Sequence, residues 1–348
     1  MRKKPFGYRK NGTFGIVGTR VVSCKYGENP WQRTSVHLYS IGSRDPLAID
    51  NFTVVAGLPP SYNNWADLDR LLQTATHIAE GYAVNESAAD IKIAVGVKHG
   101  NPCGAAVGFS KTEVLAKMMS GDSLAVFGGL ILANFAIDET LCDSLTGKML
   151  DGIIAPAFTQ GAIATLRRKG DKCRFIANPA LCELAGHLDQ ALRFRYVRGG
   201  FLVQPNYTFV PDFARGQIVK HGKAAPSQEN DMVLAWAVGS TSNSNTVSIV
   251  KNGQLIGNGV GQQDRVGAAQ LAVARALRSG HSIAGSVAYS DSFFPFPDGP
   301  QVLIEAGVAA IFTSGGSVND RATIDICAKN GVALYMVPDQ DGRGFFGH

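Results

Sequence analysis

The chain has 348 residues, enough for two domains of ordinary size and a sizeable core. Hydrophobic residues make up 45% of it, charged residues 18%, and the net charge is +5, which excludes a largely disordered protein. The basic residues form no cluster interleaved with aromatic side chains, so a nucleic-acid partner is not expected. No apolar run approaches the ~18 residues of a membrane span, so no membrane partner is expected either.

The cysteine usage and the start of the chain indicate a cytoplasmic protein. Six cysteines occur singly, without a Cys-x-x-Cys pair, which is typical of a reducing compartment. They are Cys24, Cys103, Cys142, Cys173, Cys182 and Cys327. The basic residues at the start are not followed by an apolar run, so a signal peptide is not expected.

The first half of the chain alternates between helical and strand-like patterns. Residues 1–24 are interpreted as a leader. Apolar spacing and short apolar runs then predict a helix at 67–81, a strand at 91–97, a helix at 112–119, strands at 129–133 and 153–156, and a helix at 158–168. Because Pro102 and two glycines lie in the segment 98–104, we expect this segment to interrupt regular structure.

The composition shifts to proline, glycine and mixed polar residues at 201–228, and this predicts a linker region between a first unit, 25–200, and a second unit, 229–348. The second unit is predicted to contain a helix at 230–238, a hairpin at 247–257 with Asn-Gly at its turn, a helix at 266–277, and strands at 286–289 and 308–312. The alternation predicts a layered α/β architecture in which the two halves could share a topology.

A lysine and a histidine stand side by side at the end of a predicted strand, where ligand sites of α/β proteins tend to lie. Since histidine is suited to proton transfer near neutral pH, Lys98 and His99 are candidates for a catalytic pair. A surface lysine and a hydrogen-bonded turn histidine are the alternative. Pro102-Cys103 is similar to part of the zinc deaminase signature, but Ala106 replaces the second cysteine and no His-x-Glu occurs, so no zinc is expected.

Two later segments are candidates for ligand binding. The glycine-rich loop 257–265 precedes a predicted helix but lacks the spacing of a dinucleotide site. Its backbone N–H groups and Arg265 could hold an anion, although a structural turn would have the same pattern. Segment 290–299 contains three phenylalanines and two prolines, which suits stacking on a flat heterocycle or, alternatively, a place in the core.

Eight segments, taken in order, resemble one family. They are Lys25-Tyr26-Gly27-Glu28-Asn29-Pro30-Trp31-Gln32, the Lys-His-x-Asn-Pro-Cys-Gly run at 98–104, Phe127-Gly128-Gly129, Asp-Gly-Ile-Ile-Ala-Pro at 151–156, Ser244-Asn245, the Gly-Gln-Gln-x-Arg loop at 261–265, Ser-Asp-x-Phe-Phe-Pro-Phe at 290–296, and Gly315-Gly316-Ser317. The family is the transformylase domain of the bifunctional purine enzyme, which formylates aminoimidazole carboxamide ribonucleotide (AICAR). The resemblance extends from about Lys25 to the C-terminus.

The resemblance implies a fold, an assembly and a reaction. The fold would be two tandem cytidine-deaminase-like, three-layer α/β units without zinc, and the assembly a homodimer with interfacial active sites. The co-substrate would be 10-formyltetrahydrofolate and the acceptor AICAR. His99 would take the proton of the 5-amino group as it attacks the formyl carbon, Lys98 would stabilise the resulting oxyanion, and Asn245 would orient the reacting groups.

The resemblance also implies two sets of binding residues. The nucleotide set is Lys25, Tyr26, Gly128, Asp151, Arg265, Phe293 and Arg343. The set on the folate side is Phe294, Pro295, Phe296 and Asp298. Lys25 stands where the family usually has arginine, and a lysine cannot make the bidentate contact of an arginine with a phosphate.

The sequence contains no segment like the cyclohydrolase domain of the bifunctional enzyme, so we do not expect this chain to close the ring to inosine monophosphate. A formyltransferase with another donor, such as formate activated by ATP, is one alternative, although no Walker A motif occurs. A nucleotide-binding sensor without turnover is another, and the intact catalytic triplet Lys98, His99 and Asn245 argues against it.

Overall fold

A computed structural model of the chain describes residues 6–8, 14–85 and 90–347. Residues 1–5 and 9–13 of the predicted leader, and the C-terminal His348, lie outside the described residues. The described helices are α1 (Tyr62–Val84), α2 (Lys111–Gly121), α3 (Ser123–Val126), α4 (Gln160–Leu166), α5 (Pro226–Ser240), α6 (Arg265–Arg278), α7 (Asp298–Glu305), α8 (Asp320–Lys329) and α9 (Asp339–Gly342). Short 3-10 helices cover Ile49–Asn51, Glu139–Ser144 and Pro179–Cys182.

The strands of the first half are β1 (Phe6–Tyr8), β2 (Phe14–Ile16), β3 (Thr19–Ser23), β4 (His37–Ser40), β5 (Thr53–Ala56), β6 (Lys92–Lys98), β7 (Asn101–Gly108), β8 (Leu130–Ala133), β9 (Gly152–Ala155) and β10 (Arg174–Ala177). Those that follow are β11 (Leu192–Val197), β12 (Gly200–Pro205), β13 (Val219–His221), β14 (Val247–Lys251), β15 (Gln254–Gly259), β16 (Val287–Ser290), β17 (Ala310–Gly315) and β18 (Ala333–Pro338). All the helices and strands predicted above are present, with shifted ends.

One twelve-stranded sheet joins the two halves, in the order β13-β18-β17-β16-β14-β15-β7-β6-β8-β9-β10-β5. The pairs β1-β2, β3-β4 and β11-β12 form separate two-stranded sheets. The halves meet where β15 pairs antiparallel with β7, through Gln254 and Ala106. Segment 201–228 contributes all of β12 except its first residue, the edge strand β13 and the start of α5. The domain boundary placed there stays a prediction.

The two halves repeat one topology, as the sequence suggested. In each half an antiparallel hairpin (β6-β7 or β14-β15) lies at the centre of the sheet, followed outward by three mutually parallel strands and an antiparallel edge strand. The long helices α1 and α5 precede the two hairpins, and α2 and α6 follow them. Because β7 and β15 are antiparallel, the halves are related by an approximate two-fold rotation. The turn of one hairpin therefore lies at one end of the sheet's strands, and the turn of the other hairpin lies at the opposite end.

Successive side chains of the strands point to opposite faces of the sheet, and those on both faces are buried. Both faces are covered by helices, so the sheet lies between two helical layers. On one face a continuous core contains residues of α1 and α5, including Leu68 and Trp236, and strand residues from both halves. On the other face one cluster lies beneath α2 and α4, and another beneath α6, α7 and α8. A mixed α/β architecture of three layers is therefore confirmed. Within the described ranges, no helix is both long and apolar enough to cross a membrane.

The prediction that residues 98–104 interrupt regular structure is wrong. Lys98 ends β6 and Asn101 begins β7, so only a two-residue turn separates the strands. Pro102 is tolerated because the register shifts beside it: Val97 pairs with Pro102, whereas Gly96 pairs with Gly104. At such an irregularity, not every backbone N–H takes part in the hydrogen bonds between the strands. A proline, which has no N–H to donate, can therefore be accommodated there.

Candidate functional site

Most of the predicted site residues lie on one side of the central sheet, along the row where its strands begin or end, and below this row of strand ends is called the site edge. At this edge β6 ends and β8 and β9 begin, and in the other half β14 begins while β15 and β16 end. The predicted residues beside these strand ends are Lys98, His99, Gly128, Asp151, Asn245, Arg265 and Phe293. Residues far apart in the sequence are thus brought to one side of the molecule.

The turn between β6 and β7 carries the predicted catalytic pair. His99 and Gly100 are its two central residues, with φ of 54° and 69°, as a type I′ hairpin turn requires. The His99 side chain is exposed and the Lys98 side chain is half-buried. Lys98 Nζ donates a hydrogen bond to the carbonyl oxygen of Phe127 at 2.5 Å. A Cβ atom on Gly128 would lie 3.8 Å from the same Nζ, so Gly128 directly adjoins Lys98.

A cleft of about 450 Å³ opens beside this turn on the face covered by α2 and α6, and we call it the histidine cleft. Its lining residues include Lys98, His99, Asn101, Cys103, Asp122, Leu124, Asn258, Arg275 and Arg278. The arginines are paired with one buried carboxylate: Asp122 accepts a hydrogen bond from Arg275 at 2.9 Å and forms an ion pair with Arg278 at 3.5 Å. Burial raises the pKa of the Cys103 thiol to about 12, so this thiol is protonated at neutral pH and is a poor nucleophile or metal ligand.

A second cleft of about 510 Å³ at the same edge is called the phenylalanine cleft. Its lining residues include Asn245, Gln263, Asp264, Arg265, Phe293, Pro295, Phe296, Asp298, Arg343 and Phe345. Seven of these were predicted as site residues: Asn245, Arg265, Phe293, Pro295, Phe296, Asp298 and Arg343. The structure therefore separates them from Lys98 and His99, which line the histidine cleft.

Arg265 holds the polar side of the phenylalanine cleft together. Its guanidinium pairs with the fully buried carboxylate of Asp291, and it donates to Ser290 Oγ at 3.0 Å. It also donates to Asn245 Oδ1 at 2.6 Å, and Asn245 Nδ2 donates to the carbonyl oxygen of Gln262 at 2.9 Å. Both ends of the Asn245 amide are thus fixed, which suits a group that orients a ligand.

Hydrogen bonds join the two clefts across the two halves of the molecule. Asn101 Oδ1, at the start of β7, accepts from the backbone N–H of Asn243 at 3.0 Å. Asn258 Nδ2 on β15 donates to the carbonyl oxygen of Pro102 at 2.9 Å. The histidine turn and the segment that carries Asn245 are therefore held in a fixed relation.

The predicted folate-side residues do not all face the cleft. Phe296 is 59% exposed and lines the phenylalanine cleft, as do Pro295 and Asp298. Phe294 is 2% exposed and lies in the core, where its ring packs directly against Gly299. The structure thus places Phe294 beneath the wall of the cleft rather than on it.

Arg343 lines the phenylalanine cleft near the end of the chain. Its guanidinium lies 5.5 Å from the centre of the Phe293 ring and pairs with Asp339, with Nη2–Oδ2 and Nε–Oδ1 distances of 2.7 and 3.0 Å. The side chain is 42% exposed, so it could still contact an anionic ligand from the cleft. The segment after it is anchored, because Ser244 N–H donates to the carbonyl oxygen of Gly347.

The remaining predicted residues lie outside both clefts. Asp151 precedes β9 and is paired with Arg168 at 3.3 Å. Lys25 is exposed and Tyr26 half-buried in an N-terminal segment. Asn63 at the start of α1 donates to the carbonyl oxygen of Glu28, so this segment lies against the N-terminal end of α1.

Several side chains at this edge were not assigned from the sequence. Asp67 of α1 accepts from the backbone N–H of Gly100 in the histidine turn at 2.8 Å, and nothing in its local pattern marks it. Asp291, which orients Arg265, lies in the Ser-Asp-x-Phe-Phe-Pro-Phe segment, where the phenylalanines are the more obvious feature. Arg275 belongs to the amphipathic pattern of α6 and looks like an ordinary surface residue.

In the part of the chain that the structure describes, no three His, Cys, Asp or Glu side chains form a group that could hold a metal ion. That zinc is not bound stays a prediction. The chemistry available at this edge is that of an imidazole, an ammonium group, a fixed carboxamide and two arginines beside an aromatic wall.

Comparison with known proteins supplies an independent observation. A family model described as "AICARFT/IMPCHase bienzyme" matches residues 3–275, a range that includes Lys98, His99 and Asn245. The bifunctional purine biosynthesis protein PurH of Polynucleobacter asymbioticus is 33% identical over 326 residues, which cover 92% of this chain and 59% of the relative. Its counterpart in Rhodopirellula baltica is 34% identical over 334 residues, 94% of this chain and 59% of the relative. The chain thus spans about three fifths of the length of these relatives.

Among solved structures, a dCMP deaminase from the cyanophage S-TIM5 matches 32% of this chain and 98% of its own length, with 22% identity and a TM-score of 0.24. This TM-score is too low to support an argument about the fold. The cytidine-deaminase-like character of the two units therefore stays a prediction.

Proposed function

Since this chain belongs to the AICARFT/IMPCHase bienzyme family, we propose that it transfers a formyl group from 10-formyltetrahydrofolate to the 5-amino group of AICAR. The observation that carries the proposal is that Lys98 and His99 in the histidine cleft lie on the same sheet edge as Asn245 and Arg265 in the phenylalanine cleft. In this reaction the amine nitrogen attacks the formyl carbon, the bond from that carbon to N10 of the folate breaks, and a proton passes from the amine to N10.

The proposed roles follow from the chemistry of each side chain. The exposed imidazole of His99 takes the proton from the attacking amine and returns it to the departing nitrogen. The ammonium group of Lys98, now directed at the carbonyl of Phe127, stabilises the oxyanion that forms on the formyl oxygen. Asn245, fixed at both ends of its amide, orients the acceptor. Phe293 and Phe296 offer faces for stacking on a heterocycle.

We also propose that the protein acts as a homodimer. The hairpin β11-β12 supports this, because large apolar side chains along it are exposed. They include Phe194 at 49%, Tyr196 at 80% and Leu202 at 62%. A two-stranded hairpin with such a surface is usually covered by a partner. A dimer would also bring a second copy of each cleft to the assembly.

The test is an assay of purified protein with AICAR and 10-formyltetrahydrofolate, in which the folate absorbance reports formyl transfer. We expect turnover that depends on AICAR. His99→Ala should lower kcat by about 10²–10⁴-fold, the usual effect of losing an acid–base group, with a much smaller effect on the KM for AICAR. His221→Ala, which alters a histidine in the edge strand β13, is the control and should leave kcat unchanged. A near-normal kcat for His99→Ala, or an effect on KM alone, would contradict the proposal.

A further inference from the structure

We propose that Asp67 is a positioning residue that holds the His99-Gly100 turn in the conformation that presents the imidazole. This inference rests on the proposed function, in which His99 is the base. Asp67 does not touch the reacting atoms; it acts through the backbone of the turn.

The first observation is the contact between helix α1 and the turn. Asp67 is 9% exposed, and its Oδ1 accepts from the backbone N–H of Gly100 at 2.8 Å. A buried carboxylate that accepts an N–H fixes the position of that peptide group, since loss of the bond would leave the N–H without a partner.

The second observation is that the turn alone determines where the imidazole lies. Within the described part of the chain, no side-chain hydrogen bond is made by His99, and its side chain is exposed. The residue has a φ of 54°, in the left-handed region that residues other than glycine adopt uncommonly. A small change in the backbone of the turn would therefore move the imidazole directly.

The third observation is that the second half of the molecule contains the same arrangement without a histidine. Asn252 and Gly253 form the turn between β14 and β15, with φ of 53° and 70°. Asp231 accepts from both of their N–H groups at 2.7 Å, and it is the sixth residue of α5, just as Asp67 is the sixth residue of α1. We call this arrangement the twin turn.

The lysines before the two turns are also equivalent. Lys98 donates to a carbonyl ahead of β8, and Lys251 donates to the carbonyl of Ser282 ahead of β16 at 3.1 Å. The twin turn lies at the opposite edge of the sheet, and neither Asn252 nor Gly253 lines either cleft. Asp231 is therefore a control at the equivalent position: it holds the same kind of turn, through two N–H groups where Asp67 holds one, and no proposed catalytic group depends on it.

The experiment compares Asp67→Ala with Asp231→Ala in the AICAR assay, with thermal unfolding measured on both. We expect both variants to lose thermal stability. Only Asp67→Ala should lower kcat, by about 10–100-fold, because displacement of a catalytic group by about 1 Å has an effect of this size. The KM for AICAR should change by less than about threefold, since the contacts that bind AICAR equally in the ground state and in the transition state are not altered. If Asp67→Ala does not fold, Asp67→Leu, of similar size and without an acceptor, takes its place.

Asp67→Asn tests whether the hydrogen bond is what matters. An asparagine keeps an oxygen acceptor for Gly100 N–H, so this variant should regain most of the kcat that Asp67→Ala loses. An equal loss of kcat in Asp67→Ala and Asp231→Ala, or an asparagine variant no better than alanine, would overturn the positioning role. His99→Ala is assayed in the same series: if it keeps a normal kcat, the proposed function itself fails, and the role of Asp67 fails with it.

Discussion

His77 shows how burial fixes the state of a single residue. It lies on α1, with its ring stacked on Tyr207 at a centroid distance of 5.6 Å and next to Trp236 at 5.7 Å. Its Nδ1 lies 2.7 Å from the carbonyl oxygen of Gln73. Complete burial lowers the pKa of His77 to about 4, because the charged imidazolium is poorly solvated there. His77 is therefore a neutral core residue at pH 7.

This burial predicts a loss of stability in mild acid. The unfolded chain takes up a proton on this imidazole below about pH 6.5, whereas the folded protein does so only near pH 4. The contribution of His77 to stability is therefore complete above pH 6.5 and falls as the pH drops, by about 3 kcal/mol at pH 4. Urea unfolding at several pH values measures it.

His77→Phe is the informative variant for this prediction, because phenylalanine fills the aromatic site but does not titrate. It should flatten the pH dependence of stability between pH 6.5 and 4. An unchanged slope in His77→Phe would mean that other groups cause the acid sensitivity.

At the scale of elements, the close packing of helix α6 on strand β15 determines the position of Arg265 in the site. A Cβ atom on Gly259 would lie 2.1 Å from the backbone oxygen of Ala268, and one on Gly257 would lie 2.2 Å from that of Ala272. Only glycine lets the helix approach the strand this closely. Since α6 begins at Arg265, the fit of this helix also determines where the Arg265 guanidinium meets Asn245.

Gly259→Ala should therefore affect both stability and activity. The backbone of α6 must move to admit the methyl group, at a cost of about 3 kcal/mol, the upper end of the usual range for overpacking. Urea unfolding and the AICAR assay measure the two effects. Gly216→Ala is the control, because a Cβ atom there meets nothing within 4 Å. A Gly259→Ala protein as stable and active as the control would show that α6 is less constrained than its contacts indicate.

Helices and strands with a clear apolar pattern could be predicted from the sequence. The residues of the site could be predicted only in part. The helical spacing of apolar residues identifies α1 and α6, and β6 is a short apolar run that is buried on both faces of the sheet. The strand β7 was missed because its irregularity beside Pro102 depends on the partner strand, which no local pattern reveals. The bond between Asp67 and Gly100 spans 33 residues and depends on how α1 packs, so sequence spacing could not indicate it.

At the scale of the whole molecule, the two halves share one core. The apolar residues of α1 and α5 pack together on the same face of the sheet and belong to one continuous cluster. Gly81 of α1 lies so close to α5 that a Cβ atom there would be 2.7 Å from Val233 and 3.0 Å from Trp236. Neither half could open without exposing part of the core of the other.

We therefore expect the two halves to unfold together in urea. Each half carries one buried tryptophan, Trp65 on α1 and Trp236 on α5, whereas Trp31 is 77% exposed. In a Trp31→Phe background, Trp65→Phe and Trp236→Phe leave one reporter at a time. The fluorescence midpoint of each variant should coincide with its own midpoint from far-ultraviolet circular dichroism, the test of a cooperative transition. Separate midpoints would instead indicate halves that unfold independently.

The twin turn offers an internal reference for spectroscopy. Its backbone already accommodates a residue with positive φ, and a lysine already precedes that position, so Asn252→His would place a second imidazole in almost the same local geometry. The new imidazole would lie at the far edge of the sheet, away from both clefts. The nuclear magnetic resonance signals of the two imidazoles could then be compared in one molecule under one set of conditions, so that a histidine in a cleft is measured against one that lines no cleft.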